Sequence, residues 1–289
     1  MSDVERMPRP RGLRIRHGVP EVIATIVLLL AGIMVILPLI IPWFFVFKTQ
    51  LEYAYHPWSL PTRLYLNNFR DAWKSVQLAQ GLMNTFYLCF GAIACTILPS
   101  AFAGYVFARY KSVATEIVFY AVLIGYFIPA QMVLIPLYKM SVSMKIVDSI
   151  PGVFLPISAF GISFWALIYR SFFRNLPKEL ADAAHIDGAG HSATFFRIMF
   201  PLAQPATMLA LLLVFIGCWG DYMLSLVLLS DQNHFTMQLR VAQFLNQYGV
   251  SKMPKYAAAA LISAAPTVIL YLIGHRWIIQ GALAGAIKE

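Results

Sequence analysis

Charged residues are scarce in this sequence. Only 12% of its 289 residues are Asp, Glu, Lys or Arg, and 60% are hydrophobic, whereas soluble proteins carry roughly 25% charged residues. This scarcity excludes a soluble domain, because too little polar surface is available to cover the apolar residues and lipid must solvate part of the chain. The sequence therefore predicts an all-α, polytopic membrane protein.

Six stretches contain no charged residue, and the shortest has 20 residues, roughly the length of helix that crosses the hydrocarbon core of a bilayer. These stretches are residues 22–47, 75–108, 117–138, 149–169, 198–220 and 256–275. They predict six transmembrane helices, at residues 20–47, 81–108, 114–138, 150–172, 203–229 and 256–279. No composition shift marks a soluble domain, so the whole chain, residues 1–289, is interpreted as one transmembrane domain.

Five arginines lie in the tail that precedes the first helix, residues 1–19. Positively charged segments beside membrane helices are retained preferentially in the cytoplasm. Because the number of helices is even, both termini are expected in the cytoplasm. The same orientation makes residues 173–202 a cytoplasmic loop and residues 231–255 an external loop. The first hydrophobic run is too long for a signal-peptide core of roughly 7–15 residues.

Motifs of several enzyme classes are missing. No Gly-x-x-x-x-Gly-Lys-Ser/Thr loop occurs, so the chain is not expected to bind ATP itself. No grouping of serine, histidine and carboxylate residues predicts hydrolysis, and polar residues do not converge at one membrane face. The sequence therefore predicts a protein that is not an enzyme and holds no cofactor of its own.

Metal-site and nucleic-acid patterns are missing as well. The three cysteines, Cys89, Cys95 and Cys218, lie inside apolar runs and are expected to be small core residues. His185 and His191 flank a glycine turn, a spacing that does not bring two ligands to one metal. The net charge of +9 is dispersed along membrane flanks, which indicates attraction to anionic lipid headgroups rather than nucleic acid binding.

A short polar stretch, "ELADAAHIDGAG" at 179–190, interrupts the apolar sequence. Leu180, Ala183 and Ala184 have the spacing of one face of a helix. Gly188 stands where a helix commonly ends in a left-handed residue. A helix over residues 177–187 has a length of about 16 Å at ~1.5 Å per residue, so it is too short to span a bilayer and is expected at the cytoplasmic surface.

The longer stretch "LPKELADAAHIDGAGHSATFFRIMFPLAQPA" resembles the cytoplasmic signature of ATP-binding-cassette importer permeases, whose core reads Glu-Ala-Ala followed by Gly. The segments "MNTFYL" (83–88), "WGDYMLSLVLL" (219–229) and "RWIIQGALAGAIKE" (276–289) extend the resemblance to the smaller permease subunit of the carbohydrate-uptake, maltose-type branch. Two residues depart from the family pattern: Asp182 stands for the core Glu, and Gly220 for the Asn after the tryptophan.

The resemblance implies a type I importer permease fold and a mechanism of alternating access. In that family the short helix is a coupling helix, which sits in a groove on a separate ATPase subunit that binds ATP and Mg²⁺. The implied partners are a second permease subunit, two ATPases and an external solute-binding protein, in a bacterial inner membrane. The residues that the resemblance assigns to ATPase coupling are Glu179, Asp182, Ala183, Ala184, Asp187 and Gly188.

Two further groups of residues are candidates for function. Asp221 is the acidic residue expected well inside a span, and such residues are functional candidates. With Trp219 it is a candidate for a solute pathway or gate, against the alternative of a structural hydrogen bond to a neighbouring helix. The stretch Asn246, Gln247, Tyr248 and Gly249 aligns roughly with a family loop that contacts the binding protein, and its composition is equally typical of an inert linker.

The solute is left open by the sequence. A sugar or sugar derivative is the first hypothesis, and a polyol or glycerol phosphate is the alternative within the same family. A gradient-driven transporter is a hypothesis of a different class, which predicts uptake that ionophores abolish and ATP depletion leaves unchanged. No second acidic residue lies well inside a predicted span to relay protons with Asp221, which argues against that class.

Overall fold

The computed structural model describes residues 19–286; most of the predicted N-terminal tail and the last three residues of the chain lie outside this range. Within it the chain is helical and contains no strand. The α-helices are α1 Val19–Val46, α2 Gln50–Tyr55, α3 Asn67–Ser75, α4 Leu78–Arg109, α5 Val113–Tyr126, α6 Leu134–Ser143, α7 Ile150–Asn175, α8 Glu179–Ile186, α9 His191–Thr194, α10 Phe200–Leu202, α11 Gln204–Trp219, α12 Met223–Leu228, α13 Met237–Tyr248 and α14 Met253–Ala286.

The helices that are long and apolar enough to cross a membrane agree with the predicted spans. Among the described residues there are four such helices, or up to six if each of two bent helix pairs counts as one span. Helices α1, α4, α7 and α14 are the four, and their bounds lie close to those predicted for the first, second, fourth and sixth spans. The chain is thus a multi-pass membrane protein.

The centre of the bundle is the contact between α4 and α7, the most extensive helix pair of the described chain. Small residues make this contact close. A Cβ atom added to Gly104 would lie 2.5 Å from the Cβ of Tyr169 and 2.8 Å from the backbone nitrogen of Arg170. The hydroxyl of Ser158 donates to the carbonyl of Ala92 across the pair, at 3.3 Å. Small residues with interhelical hydrogen bonds are the usual means of packing helices in lipid.

A second hydrophobic cluster lies at the end of the bundle where α1 finishes and α4 begins. It joins α3, α13 and the first turns of α14 to these helix ends. Its fully buried members include Val46, Leu78, Met237 and Ala258. The side chain of Asn68 donates to the carbonyls of Val46 and Lys48, both at 2.7 Å, so α3 is fixed against the end of α1.

Helix α1 lies at the edge of the bundle. Apart from its last turns its main packing partner is α14, and none of its most hydrophobic window is buried inside the chain. Large apolar side chains such as Leu28, Met34 and Val35 are more than half exposed. A surface of this kind requires lipid or a partner helix to cover it.

The third predicted span, 114–138, is wrong as a continuous helix. Helix α5 ends at Tyr126, and the chain turns by 89° before it continues over Ala130–Ser143. Pro129 explains the break, because the residue before a proline is disfavoured in the helical region. The pair is therefore a broken span or a re-entrant loop.

The fifth predicted span, 203–229, begins where α11 begins, at Gln204, but it is not one continuous helix to its predicted end. The chain bends by 75° between the His191–Leu202 and Gln204–Trp219 segments, where Pro205 lacks an amide proton and its ring conflicts with the preceding turn of helix. After Trp219 the helix stops, and residues 220–222 separate α11 from the short helix α12.

The segment 231–255 is not an irregular loop. It contains α13 over Met237–Tyr248, followed by a 3₁₀ turn at Gly249–Lys252. Val241 and Phe244 of α13 are buried in the second cluster. Apolar residues at helical spacing within this otherwise polar stretch are the signal that distinguishes it from a linker.

Close packing at Gly104 generates a stability prediction. Gly104→Ala is expected to destabilise the bundle by about 1–3 kcal/mol, because overpacking at a backbone contact forces α4 and α7 apart. Gly217→Ala is the matched control, since Gly217 is also inside a helix but has no atom within 4 Å of an added Cβ. Thermal midpoints of the purified variants in detergent measure the difference; equal midpoints would contradict the packing argument.

Candidate functional site

The short helix α8 begins at Glu179, after an extended residue and a proline. Leu176 has φ −78° and ψ 139°, and the carbonyl of Lys178 accepts from the amides of Ala181 and Asp182 at 2.9 and 3.1 Å. Asn175, just before this extended residue, is the last residue of α7. The extended residue therefore separates α8 from the long helix and lets it take its own direction.

Gly188 ends the helix as predicted. Its φ of +84° is in the left-handed region. The amide of Ala189 donates to the carbonyl of Ala184 at 2.9 Å, and the amide of Asp187 to that of Ala183 at 3.0 Å. The bond from Ala189 to Ala184, which spans five residues along the chain, is the one that defines a Schellman C-cap. No heavy atom lies within 4 Å of an added Cβ at Gly188, so the glycine serves the backbone conformation and not a close contact.

The two faces of α8 differ from the prediction. Ala181 and Ala184 are buried, Ala184 with 5% of its surface exposed, and they face the chain's own bundle. Ala183 is exposed on the other face, and Ile186 is 85% exposed. The predicted pairing of Ala183 with Ala184 on one docking face is therefore wrong: Ala184 supports the helix from beneath, and Ala183 points outward.

The acidic residues of the stretch, Glu179, Asp182 and Asp187, are all exposed, as is Gly188. Asp182 borders a cleft of about 300 Å³ together with Lys178, Arg109 and Lys111. The outer face of α8 thus presents carboxylates beside small and apolar side chains, which is a surface suited to a protein partner with basic residues.

Two side chains from the end of α4 hold the loop. The guanidinium of Arg109 donates to the carbonyls of Leu176 and Pro177, at 3.4 and 3.2 Å. The hydroxyl of Tyr110 lies 2.9 Å from Nδ1 of His191, on the far side of α8. Both ends of the α8 segment are therefore attached to the same helix.

Phe195 anchors the return of the loop into the bundle. It is fully buried and lies edge-on to Phe102 and beside Tyr105, with ring centroids 5.3 and 5.4 Å apart. It begins a π-helical turn over Phe195–Met199, a feature that is frequent at functional sites. Packing of this kind makes the loop a rigid continuation of the bundle.

A charged cluster that the sequence did not predict stabilises the end of α7. Arg170 forms an ion pair with Glu116 of α5, and Arg174 lies 3.3 Å from the same carboxylate. The Arg170 guanidinium also stacks over the Phe119 ring, 3.7 Å from its centroid. The signal in the sequence was the presence of these charges just beyond the apolar runs, but their pairing depends on the packing of α5 on α7.

Trp219 is a buried structural residue in this conformation. Only 1% of its surface is exposed, and its indole nitrogen donates to the carbonyl of Ser263 in α14 at 2.8 Å. Its ring packs against Phe86 and Phe215, with centroids 5.1 and 5.3 Å apart. The indole therefore joins α11 to α14 and α4; a pathway or gate role for it stays a prediction.

The sequence predicts Asp221 inside a continuous helix. In the structure it lies in the break between α11 and α12. Its carboxylate accepts from the amides of Leu224 and Ser225, at 3.4 and 3.0 Å, and from the Ser225 hydroxyl at 2.8 Å. It therefore caps α12 within its own segment, which is a structural role different from the predicted bond to a neighbouring helix.

The candidate contacts at 246–249 lie at the end of α13. Asn246, Gln247 and Gly249 are exposed. The half-buried Tyr248 packs against Phe244 and lies under the ammonium group of Lys252, 3.4 Å from its ring centroid. Gly249 has φ +54°. The four residues thus form a defined helix end that is exposed and available to a partner.

One group of potential metal ligands occurs among the described residues: Asp148, Asp231 and His234, whose ligand atoms lie within 4.8 Å of one another. The Asp148 carboxylate already accepts from the amides of Asp231 and Ser230, both at 2.9 Å. These hydrogen bonds, with a smaller contribution from His234, lower the pKa of Asp148 below its ordinary value. The Asp148 carboxylate already accepts two backbone hydrogen bonds, so its contacts are explained without a metal ion.

The cap at Asp221 generates a prediction that separates capping from charge. Asp221→Ala is expected to lower the thermal midpoint, because loss of an N-cap side chain costs typically ~1 kcal/mol. Asp221→Asn keeps an oxygen acceptor and is expected to remain close to the unsubstituted chain. Thermal unfolding of both purified variants measures this; an Asn variant as unstable as the Ala variant would show that the charge, not the cap, matters.

Comparison with known proteins assigns the family. Residues 100–282, more than half of the chain, match the family described as "Binding-protein-dependent transport system inner membrane component". The chain is 30% identical over 254 residues to the melibiose/raffinose/stachyose import permease protein MelC of Bacillus subtilis, covering 86% of this chain and 91% of that protein. It is 26% identical over 264 residues to the diacetylchitobiose uptake system permease protein NgcG of Streptomyces coelicolor, covering 91% and 85%.

The fold agrees with this match. A chain in the crystal structure of a bacterial ABC transporter involved in the import of the acidic polysaccharide alginate superposes with a TM-score of 0.76 at 17% identity, covering 88% of this chain and 95% of that one. Together with the apolar helices and the exposed, glycine-terminated α8, these matches show that the chain belongs to the binding-protein-dependent inner-membrane components, the permeases of ATP-binding-cassette importers.

Proposed function

We propose that this chain is one permease subunit of an ATP-driven importer that moves a sugar or sugar derivative across a bacterial inner membrane. The names of its relatives support the solute class, since they include uptake systems for melibiose, raffinose and stachyose and for diacetylchitobiose. The chain acts by alternating access, with both termini and α8 in the cytoplasm and the α13 end outside, in accordance with the five-arginine tail.

One observation carries the proposal: α8 is an exposed helix with fixed ends. Its inner face, Ala181 and Ala184, is buried, whereas its outer face presents Ala183 and the 85% exposed Ile186. A large aliphatic side chain so fully exposed on a water-facing helix is a candidate contact for a partner. The outer face fits a groove on the ATPase subunit, with Ile186 as the apolar contact.

The acidic residues complete this docking surface. Glu179 lies in the first turn of α8, and Asp182 and Asp187 are exposed beside the apolar contact. Basic side chains at the rim of the ATPase groove would pair with them, which sets orientation and association rate more than affinity. ATP and Mg²⁺ bind in the ATPase subunits, and this chain supplies no ligand for either.

Movement reaches the bundle through the two attachments to α4. The Arg109 bonds to Leu176 and Pro177 hold the start of the segment, and Tyr110 with the buried Phe195 holds its end. When two ATPases close on ATP, displacement of α8 therefore moves α4 and α7 together. A second permease subunit carries the other coupling helix, and an external solute-binding protein delivers the solute near residues 246–249.

The energy source is the first test of this function. Uptake by cells that carry the complete transporter is expected to stop on ATP depletion with arsenate and to continue in the presence of a protonophore that leaves ATP unchanged. Radiolabelled raffinose, a polyol and glycerol phosphate are the three solutes to supply. Uptake that responds to the protonophore alone would identify a gradient-driven transporter, and uptake of glycerol phosphate alone would exclude the sugar assignment.

A cross-linking experiment tests the docking face. In the assembled transporter, cysteine at Ala183 or Ile186 is expected to form a cross-link to the ATPase subunit with a short bifunctional reagent. Cysteine at Ala184 is the matched control and is expected to remain unlinked, because that position is buried against the chain's own bundle. Cross-links at Ala184 but not at Ala183 would contradict the orientation of α8.

Gly188 provides a functional prediction with an internal control. Gly188→Val is expected to abolish uptake while leaving membrane insertion intact, because a β-branched residue is strongly disfavoured at φ +84°. Gly188→Asn is expected to retain part of the activity, since Asn is accepted at this helix position. Gly190→Val is the control: Gly190 has an ordinary φ of −70° and equally open surroundings. Equal uptake by the two valine variants would refute the coupling role of the Gly188 turn.

A further inference from the structure

A polar cleft of about 110 Å³ lies at the end of the bundle where α3 and α4 meet α13. Its lining includes the side chains of Gln77, Gln232, Arg240, Gln243 and Gln247. Gln247 is one of the residues that the sequence identified as a candidate contact for the binding protein. The cleft is small compared with the ~300–1,000 Å³ of small-molecule sites, so it suits a single side chain better than an oligosaccharide.

Arg240 is the feature that gives the cleft its chemistry. Its guanidinium is buried, with 6% of the residue exposed. It donates to the side-chain oxygen of Gln77 at 2.9 Å, to the carbonyl of Gln232 at 2.6 Å and to the carbonyl of Phe235 at 3.4 Å. All three acceptors are neutral. Burial lowers the pKa of Arg240, yet an arginine stays protonated in proteins, so the cleft holds a buried positive charge.

The chain makes room for this arginine. A Cβ atom added to Gly81 would lie 2.8 Å from Cδ of Arg240 and 3.3 Å from Cα of Met237. The missing side chain therefore allows the arginine stem to pass between α4 and α13. A buried charge is costly unless it is paired, and this site places one beside neutral groups only.

Acidic residues at the same end of the described chain are engaged elsewhere. Asp71 pairs with Lys255 at 2.8 Å, Glu52 accepts from the amide of Thr62 at 2.6 Å, and Asp231 accepts from the amide of Asn233 at 2.9 Å. Asp148 accepts from the amides of Ser230 and Asp231, both at 2.9 Å. Over residues 48–76, 139–150 and 230–255 the sequence has nine basic residues and four acidic ones. Among the described residues the Arg240 guanidinium bonds only to neutral oxygens, so its charge is available to an anion from a partner.

The first turn of α4 adds to the positive potential. Gln77 precedes this 32-residue helix with φ 51° and makes no side-chain cap, because its side-chain oxygen accepts from Arg240. The first amides of a helix carry partial positive charge and favour an anion. A non-glycine residue in the left-handed region is strained, and such strain clusters at functional sites. The uncapped helix end and the buried guanidinium thus border one cleft.

We propose that this cleft receives the carboxylate of an aspartate or glutamate side chain on the external solute-binding protein. The proposal rests on the function proposed above, which supplies that partner. Of the five N–H groups of a guanidinium, three are used here, which leaves one on each terminal nitrogen. A carboxylate accepts both in the bidentate arrangement that arginine favours. Gln243 and Gln247 stand at the cleft, where their amides add neutral donors for the same group.

The test places a carboxylate from the chain itself in the cleft, by substitution of a neighbouring glutamine. Gln243 lies one helical turn after Arg240 on α13, a spacing at which side chains meet, so Gln243→Glu is expected to pair with Arg240 and exclude the partner's carboxylate. Gln50→Glu is the matched control, since Gln50 is exposed at the same end of the bundle and undergoes the same charge change. The measurement is the Kd of the purified solute-binding protein for the complete transporter in nanodiscs.

We expect at least a tenfold weaker Kd for Gln243→Glu and less than a twofold change for Gln50→Glu, with both variants folded by size-exclusion chromatography. Charge reversal of one acidic surface residue of the binding protein to lysine is expected to restore binding to the Gln243→Glu transporter.

Equal Kd values for the two variants would overturn the proposal. So would millimolar glutarate that binds the cleft without competing with the binding protein, which would identify a site for a free carboxylate. ATP-dependent uptake by the unsubstituted transporter tests the proposed function separately, so failure of one proposal can be told from failure of the other.

Discussion

The close contact between α4 and α7 determines how the rest of the chain is arranged. Gly104 brings the two backbones together, and the same helix α4 carries the attachments of the functional elements at both of its ends. Arg109 holds the α8 segment at one end, and Gln77 binds Arg240 at the other. Because Gln77 directly precedes this 32-residue helix and Arg109 ends it, the α8 segment and the polar cleft are both attached to the core helix.

Packing and hydrogen bonds at several points make the α8 segment stiff. Its inner alanines, Ala181 and Ala184, pack on the bundle, its C-terminus is closed by the bonds around Gly188, and Phe195 fixes the following turn. A helix of eight residues has little stability of its own, so these contacts are what keep it formed. The exposed outer face is the part left free for a partner.

The sequence predicted the features that depend on local chemistry. Hydrophobic length located the spanning helices, and a glycine after an alanine-rich helix located the left-handed turn at Gly188. Features that depend on packing were not predictable in this way. The spacing of Ala183 and Ala184 fits either face of a short helix, and only contact with the bundle decides that Ala184 is the buried one. The burial of Arg240 likewise depends on Gly81, which is 159 positions away along the chain.

Asp221, the acidic residue within the fifth predicted span, has a physical reason that the sequence alone did not show. Where a membrane helix is interrupted, the first amides of the helix that follows need acceptors, because lipid offers none. At the break after Trp219, the amide of Gly220 donates to the carbonyl of Ile216 at 3.1 Å, and the Asp221 carboxylate accepts from the amides of α12. A carboxylate, rather than a neutral cap, then requires water or protein beside it and not lipid. The half-buried Asp221 therefore marks a side of the bundle that faces water or protein and not lipid.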